Sequence, residues 1–167
     1  MSISTYEISI PVLSRGLANM SAILDKAAAH AAAKKYDSIV LAQLRLYPDM
    51  HPFVRQVQIA CDTAKGAAAR LAGVEVPKHA DTETTLDELK QRIAKTLDFL
   101  KTVTAAQVDR DEGRTIEIKF PNGAWKFTAL SYLTDFVLPN FYFHVVTAYD
   151  ILRHNGVEIG KRDYLGR

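Results

Sequence analysis

The chain has 167 residues, so it corresponds to about one domain and can bury a sizeable core. Apolar residue types make up 48% of the sequence and the net charge is only +2, which is ordinary for a water-soluble globular protein. Because the sequence contains no basic run and no apolar stretch approaching the ~20 residues of a membrane span, we expect neither a nucleic-acid nor a membrane partner.

The cysteine count and the N-terminal residues predict a reducing environment. Cys61 is the only cysteine, which excludes an internal disulfide. The first residues, MSISTYEISIPVL, lack the charged segment and the apolar segment of a secretory signal peptide. We therefore expect a cytoplasmic protein with a single domain that spans residues 1–167.

Apolar residues at steps of three and four predict a first long helix over residues 5–34. Pro11 falls in its first turns and favours a bent or delayed start. A short helical segment is expected over residues 37–44, after which Tyr47-Pro48-Asp49 breaks it. The residues of the first apolar stripe are Ile10, Leu13, Leu17, Met20, Leu24, Ala27 and Ala31.

Two further long helices are expected in the middle of the chain. The second starts near Asp49 or His51 and stops at Gly73, and its alanine-rich face allows a neighbouring helix to approach closely. The third begins at Thr85-Leu86-Asp87-Glu88, which matches the capping-box pattern, and ends near Thr104.

The apolar period then changes from the helical value to two. Residues 115–120 and 124–128 each alternate between apolar and polar side chains, and Pro121-Asn122-Gly123 lies between them. An Asn-Gly pair between alternating runs is a strong signal for a β-hairpin. Because a lone hairpin is only marginally stable, we expect it to pack on the helices through Trp125 or Phe127.

The last long helix is expected over residues 138–156, after a short helix over 128–136 and before an irregular tail over 157–167. Pro139 in its first turn and Gly156 at its end are typical helix boundaries. His144 lies at the rim of its apolar stripe, with Asn140 one turn earlier on the same side. Phe143 lies opposite that stripe, so we expect it to pack under the hairpin or in a homodimer interface.

Three segments of the chain resemble a known family. They are LYPDMHPFVRQVQIACD, ARLAG and LPNFYFHVVTAYDILRHNGVEIGKRDYLG. The last helix resembles the fourth helix of the DinB/YfiT-like superfamily of proposed metalloenzymes, and nearly the whole chain resembles an uncharacterised bacterial family grouped with it. Together with the four amphipathic helices, this resemblance implies an all-α fold, a DinB-like four-helix bundle of the up-down-down-up type with a small β-hairpin before the last helix.

The resemblance also implies a candidate metal site. Metal-binding DinB-like proteins use three histidines, one at the start of the second helix and two in an H-x-x-x-H pair on the fourth. His51 matches the first ligand and His144 matches the second member of the pair, but Asn140 stands where the pattern has a histidine. Asp49 could supply a carboxylate instead, so zinc, nickel or iron would be bound by His51, His144 and Asp49.

Two functions remain open from the sequence. In the favoured one, the bundle is a non-catalytic protein that binds a small-molecule ligand through His144, Asn140 and His51, or acts as a homodimeric interaction module. The alternative is a metal-dependent enzyme of the DinB-like thiol-transferase type, in which a divalent metal lowers the pKa of a thiol. For His144 a purely structural hydrogen bond is a further possibility, because buried polar groups need partners.

Overall fold

A computed structural model describes residues 4–111 and 113–167 of the chain. These residues fold into helices and one β-hairpin. The helices are α1 (Ile10–Lys34), α2 (Ile39–Gln43), α3 (Phe53–Ala72), α4 (Leu86–Lys101), α5 (Ala105–Val108), α6 (Ala129–Ser131), α7 (Leu138–His154) and α8 (Lys161–Leu165). The strands are β1 (Ile116–Phe120) and β2 (Gly123–Phe127), and a π-helical segment (Tyr132–Val137) joins α6 to α7.

The helices α1, α3, α4 and α7 form the bundle. Asp25 of α1 pairs with Lys90 near the start of α4. Ser4, just before α1, donates a hydrogen bond of 2.6 Å to Asp109, which lies beyond the end of α4. The two helices therefore run antiparallel.

Contacts between α3 and α7 establish the remaining directions. His144 of α7 contacts Gln56 early in α3, and Asn140, one turn earlier in α7, contacts Thr63 further along α3. These helices are antiparallel, whereas α1 and α7 point the same way. The predicted up-down-down-up bundle is confirmed. None of the helices in the described part of the chain combines the length and the hydrophobicity of a membrane span.

The first and last segments differ from the prediction. The first helix starts at Ile10, five residues after the predicted bound, which agrees with the delayed start expected from Pro11, a residue without an N–H to extend the helix backwards. The expectation of an irregular tail was wrong, since residues 161–165 form α8. Asp163 accepts a hydrogen bond of 2.8 Å from the Gly160 N–H and forms an ion pair of 2.5 Å with Lys26, which anchors this short helix to α1.

The predicted C-terminal end of α3 and the predicted start of α4 are confirmed. Gly73 ends α3 with a left-handed backbone (φ +69°), a conformation that glycine adopts without strain. Thr85 caps α4 by accepting a hydrogen bond of 3.2 Å from the Glu88 N–H, while the Glu88 carboxylate accepts one of 3.0 Å from the Thr85 N–H. The capping box is therefore confirmed.

The hairpin pairs in the predicted place and packs on the bundle. Its strands are antiparallel, with Ile118 opposite Trp125. Ile118 is buried, and the Phe127 ring lies 5.8 Å from Tyr132 and 6.1 Å from Phe136, between ring centres. The expectation that Phe127 contacts the helices is confirmed, and the contact covers one side of the π-helical segment.

Candidate functional site

A cleft of about 180 Å³ lies between α3, the hairpin and the segment that leads into α7. We call it the α3–α7 cleft. It combines two charged side chains, three neutral polar ones and two apolar ones. Its lining residues are Asp62, Thr63, Arg70, Ile118, Tyr132, Phe136 and Asn140.

Helix spacing places the α3 residues on one wall of the cleft. Thr63 and Arg70 are seven residues apart, or two turns, so they share a face of α3. The opposite wall is the π-helical segment, whose Tyr132 and Phe136 rings stack with centres 6.0 Å apart. A π-helical turn takes up an extra residue and so changes the direction of the side chains that follow it, and such turns are frequent at functional sites.

Hydrogen bonds hold the polar side chains across the cleft. Arg70 Nη1 donates to the Tyr132 hydroxyl at 3.2 Å, and Asn140 Nδ2 donates to Thr63 Oγ1 at 2.8 Å. Burial raises the pKa of Tyr132, so its phenol stays protonated at neutral pH. The phenol accepts from Arg70, and its own proton has no acceptor among the described residues. It can therefore be donated to a ligand.

The two charges of the cleft are not equivalent. Asp62 pairs with Lys65 and, at 2.7 Å, with Arg92. Two cations that do not line the cleft therefore compensate its negative charge. In the described part of the chain, Arg70 forms no ion pair with a carboxylate. The cleft therefore offers one half-buried, uncompensated guanidinium.

Gly66 makes room for that guanidinium. A Cβ at position 66 would lie 2.6 Å from Arg70 Nη1, closer than side chains pack. Glycine inside a helix destabilises the helix by roughly 0.5–1 kcal/mol relative to alanine. The glycine thus favours the placement of Arg70 at the expense of helix stability.

His144 does not line the α3–α7 cleft. It is buried, and its Nδ1 lies 2.7 Å from Gln56 Oε1. Gln56 Nε2 in turn donates to the carbonyl of His51 at 3.0 Å, so the amide oxygen faces the imidazole and Nδ1 carries the proton. Burial lowers the pKa of His144 to about 4, and the nearby charges of His51 and Arg55 add to this. The imidazole is therefore neutral at pH 7.

The residues predicted to bind a metal do not form a complete ligand set. The side chains of His51 and Asp49 are exposed, and His51 accepts the hydrogen bond from Gln56 through its backbone carbonyl. Among residues 4–111 and 113–167, no group of three histidine, cysteine or carboxylate side chains is arranged to hold a metal ion. A firmly bound divalent ion needs at least three such protein ligands, so the donor set does not fit the metal that the resemblance implies.

Sequence reasoning found one member of the cleft and missed the others. Asn140 was predicted as a ligand-binding residue and lies in the cleft, whereas Arg70 and Tyr132 were not singled out. Arg70 carried a usable signal, because it interrupts an alanine-rich helical face with a charge. Tyr132 carried a weaker one, the Tyr-x-x-x-Phe spacing directly after the hairpin.

Comparisons with known proteins agree with this architecture. The sequence model of the family described as Domain of unknown function (DUF1993) matches residues 5–165. A DinB family member protein from Shewanella denitrificans, whose crystal structure is known, is 47% identical in sequence to this chain. The two structures have a TM-score of 0.90. The similarity covers 97% of this chain and 92% of that chain. No functionally curated protein matches the chain.

Proposed function

The chain belongs to the DUF1993 family and has a DinB-like fold, and from this premise we propose that it is a non-catalytic protein that binds a small organic acid. The ligand would combine a carboxylate with an apolar group and occupy the α3–α7 cleft. The observation that carries the proposal is the guanidinium of Arg70, which lines the cleft and has no carboxylate partner in the described part of the chain.

Each wall of the cleft matches one part of such a ligand. A guanidinium suits a carboxylate because its parallel N–H groups can bind both oxygens at once. The Tyr132 hydroxyl supplies another donor beside Arg70. The side chains of Ile118 and Phe136 supply an apolar surface in the same cleft. Asn140 and Thr63, which are hydrogen-bonded to each other, complete the polar lining of the cleft.

Isothermal titration calorimetry with benzoate tests the proposal. The Arg70→Gln variant is expected to bind benzoate at least tenfold more weakly, because a charge-assisted hydrogen bond is lost. Arg153→Gln, an exposed arginine near the end of α7, is the matched control and should bind like the wild type. Equal affinities of wild type and Arg70→Gln would contradict the proposal.

A second variant separates binding from folding. Gly66→Ala is expected to weaken benzoate binding, since the new methyl group would push Arg70 aside. It should keep or slightly raise the free energy of unfolding, because alanine stabilises a helix interior relative to glycine. Weaker binding in a protein of undiminished stability would assign the effect to the cleft itself.

A second candidate function, a homodimeric module, is favoured by the outer face of α7. Phe143 is 56% exposed and Val146, three residues on, is 39% exposed, so both lie on one exposed face of α7. Among the described residues, the Phe143 ring contacts the ring of neighbouring His144, at 5.2 Å between ring centres, and no aromatic ring of the hairpin. Sedimentation at micromolar concentration should show a dimer that Phe143→Ser converts to a monomer. A monomeric wild type would exclude this candidate.

A further inference from the structure

A second cavity lies where the chain crosses from α3 to α4. It has a volume of about 370 Å³ and shares no lining residue with the α3–α7 cleft. The crossing loop contributes His79 and Glu83, and the first three turns of α4 contribute Glu88, Arg92 and Lys95. We call it the crossover cavity.

Two residues of the crossover cavity carry unsatisfied polar atoms. His79 Nδ1 and Arg92 Nε are buried and have no hydrogen-bond partner. In the described part of the chain, the same is true of only one other side-chain nitrogen, Nε of Arg114. A buried polar atom without a partner costs free energy. Both atoms belong to side chains that line this cavity, so the cavity is where a ligand would supply the missing partners. Arg92, only 3% exposed, forms the back wall.

The acidic residues of the cavity are already engaged. Both carboxylate oxygens of Glu83 accept from Arg92 Nη1 at 3.1 Å. Glu88 Oε2 accepts three hydrogen bonds from Thr84 and Thr85, which lower the pKa of this carboxyl. Arg92 therefore compensates the charge of Glu83, whereas Glu88 keeps its negative charge and directs Oε2 at the start of α4.

The basic residues leave a surplus of donors. Lys95 is exposed at the cavity and forms no ion pair with the described residues. Burial lowers the pKa of His79, and the positive charges of Lys65, Lys95 and Arg92 lower it further, against the opposing effect of Asp62. His79 is thus a neutral imidazole in a positive surrounding, beside a free ammonium group.

We propose that the crossover cavity binds an oxyanion, the phosphate or carboxylate group of a small molecule, between Lys95 and His79 in front of Arg92. Lys95 supplies the charge and the imidazole N–H supplies a directed hydrogen bond. The bound anion offsets the positive field of the three cations at His79. The proposal is independent of the organic-acid site, because the two cavities share no lining residue.

Proton NMR of the histidine side chains tests this inference on the whole protein. The imidazole resonance of His79, identified by its loss in His79→Gln, is titrated with pH in the absence and presence of inorganic phosphate or of acetate. A bound anion should raise the pKa of His79 with a saturable dependence on anion concentration. Exposed His154 serves as the internal reference for general effects of salt.

Variants test which residues bind the anion. Lys95→Gln is expected to weaken anion binding about tenfold, the loss of one charged hydrogen bond. Lys101→Gln, an exposed lysine at the end of α4, and Arg70→Gln should both leave the titration of His79 unchanged. A response to phosphate alone assigns a phosphate group and a response to acetate alone a carboxylate. An unchanged His79 pKa with both anions, an equal shift at His154, or full binding in Lys95→Gln would overturn the proposal.

Discussion

Acidification is expected to destabilise the protein through His144 by about 2 kcal/mol at pH 5 and about 3 kcal/mol at pH 4. The pKa of His144 is lowered from 6.5 to about 4 in the folded protein, chiefly by burial. Between these two values the unfolded chain binds the proton more readily than the folded chain does. The contribution of His144 to the free energy of unfolding is therefore retained above pH 6.5 and is lost progressively as the pH falls to about 4.

Urea denaturation at pH 7 and pH 5 measures this effect. His144→Gln is the matched variant, because its amide can still donate to Gln56 but does not titrate. The wild type should lose about 2 kcal/mol more stability than the variant between the two pH values. Parallel losses in both proteins would show that His144 is not the titrating group.

Replacing Arg92 with methionine is expected to lower the free energy of unfolding by about 3–5 kcal/mol. The Arg92 side chain is 1% exposed and forms ion pairs with three carboxylates, those of Asp62 at 2.7 Å, Asp81 at 2.8 Å and Glu83 at 3.1 Å. Without the guanidinium, these carboxylates repel one another and Glu83 remains largely buried without a cation. The loss therefore exceeds that of a single surface ion pair.

Urea denaturation with a control variant checks this prediction. Lys101→Met removes an exposed lysine of the same helix, whose ion pair with Asp98 is solvent-screened, and should leave stability unchanged. Adding Glu83→Gln to Arg92→Met should recover part of the lost stability, because one buried negative charge is removed with its partner. A loss in Arg92→Met no larger than in Lys101→Met would contradict a central role for this network.

The bundle could be predicted because its signals are local. Steps of three and four residues, the capping box at Thr85 and the Asn122-Gly123 turn each depend on a few neighbouring residues. The prediction was wrong where contacts between distant segments of the chain determine the local structure. The helix over 161–165 has little apolar periodicity and is held by Asp163 and its contact with Lys26 on the distant α1.

The candidate site could be predicted only in part, for a related reason. Asn140 and His144 were placed on the inner side of the last helix by their spacing alone. The cleft, however, combines α3, the hairpin and a π-helical segment, and no sequence period indicates that Arg70 meets Tyr132. Helical spacing also could not show that His144 is turned towards Gln56, which removes it from the cleft.

The polar residues between α3 and α7 are proposed to form an organic-acid site rather than a metal centre. Amide chemical-shift mapping by NMR, with benzoate and Zn²⁺ titrated separately into the untagged protein, distinguishes these two kinds of site. We predict saturable benzoate shifts in residues 62–70, 118 and 132–140, and no stoichiometric zinc response at His51 and His144. Saturation by one equivalent of zinc at His51 and His144, lost in His144→Ala, without a benzoate response in the cleft, would contradict an organic-acid site and support the metal-dependent alternative.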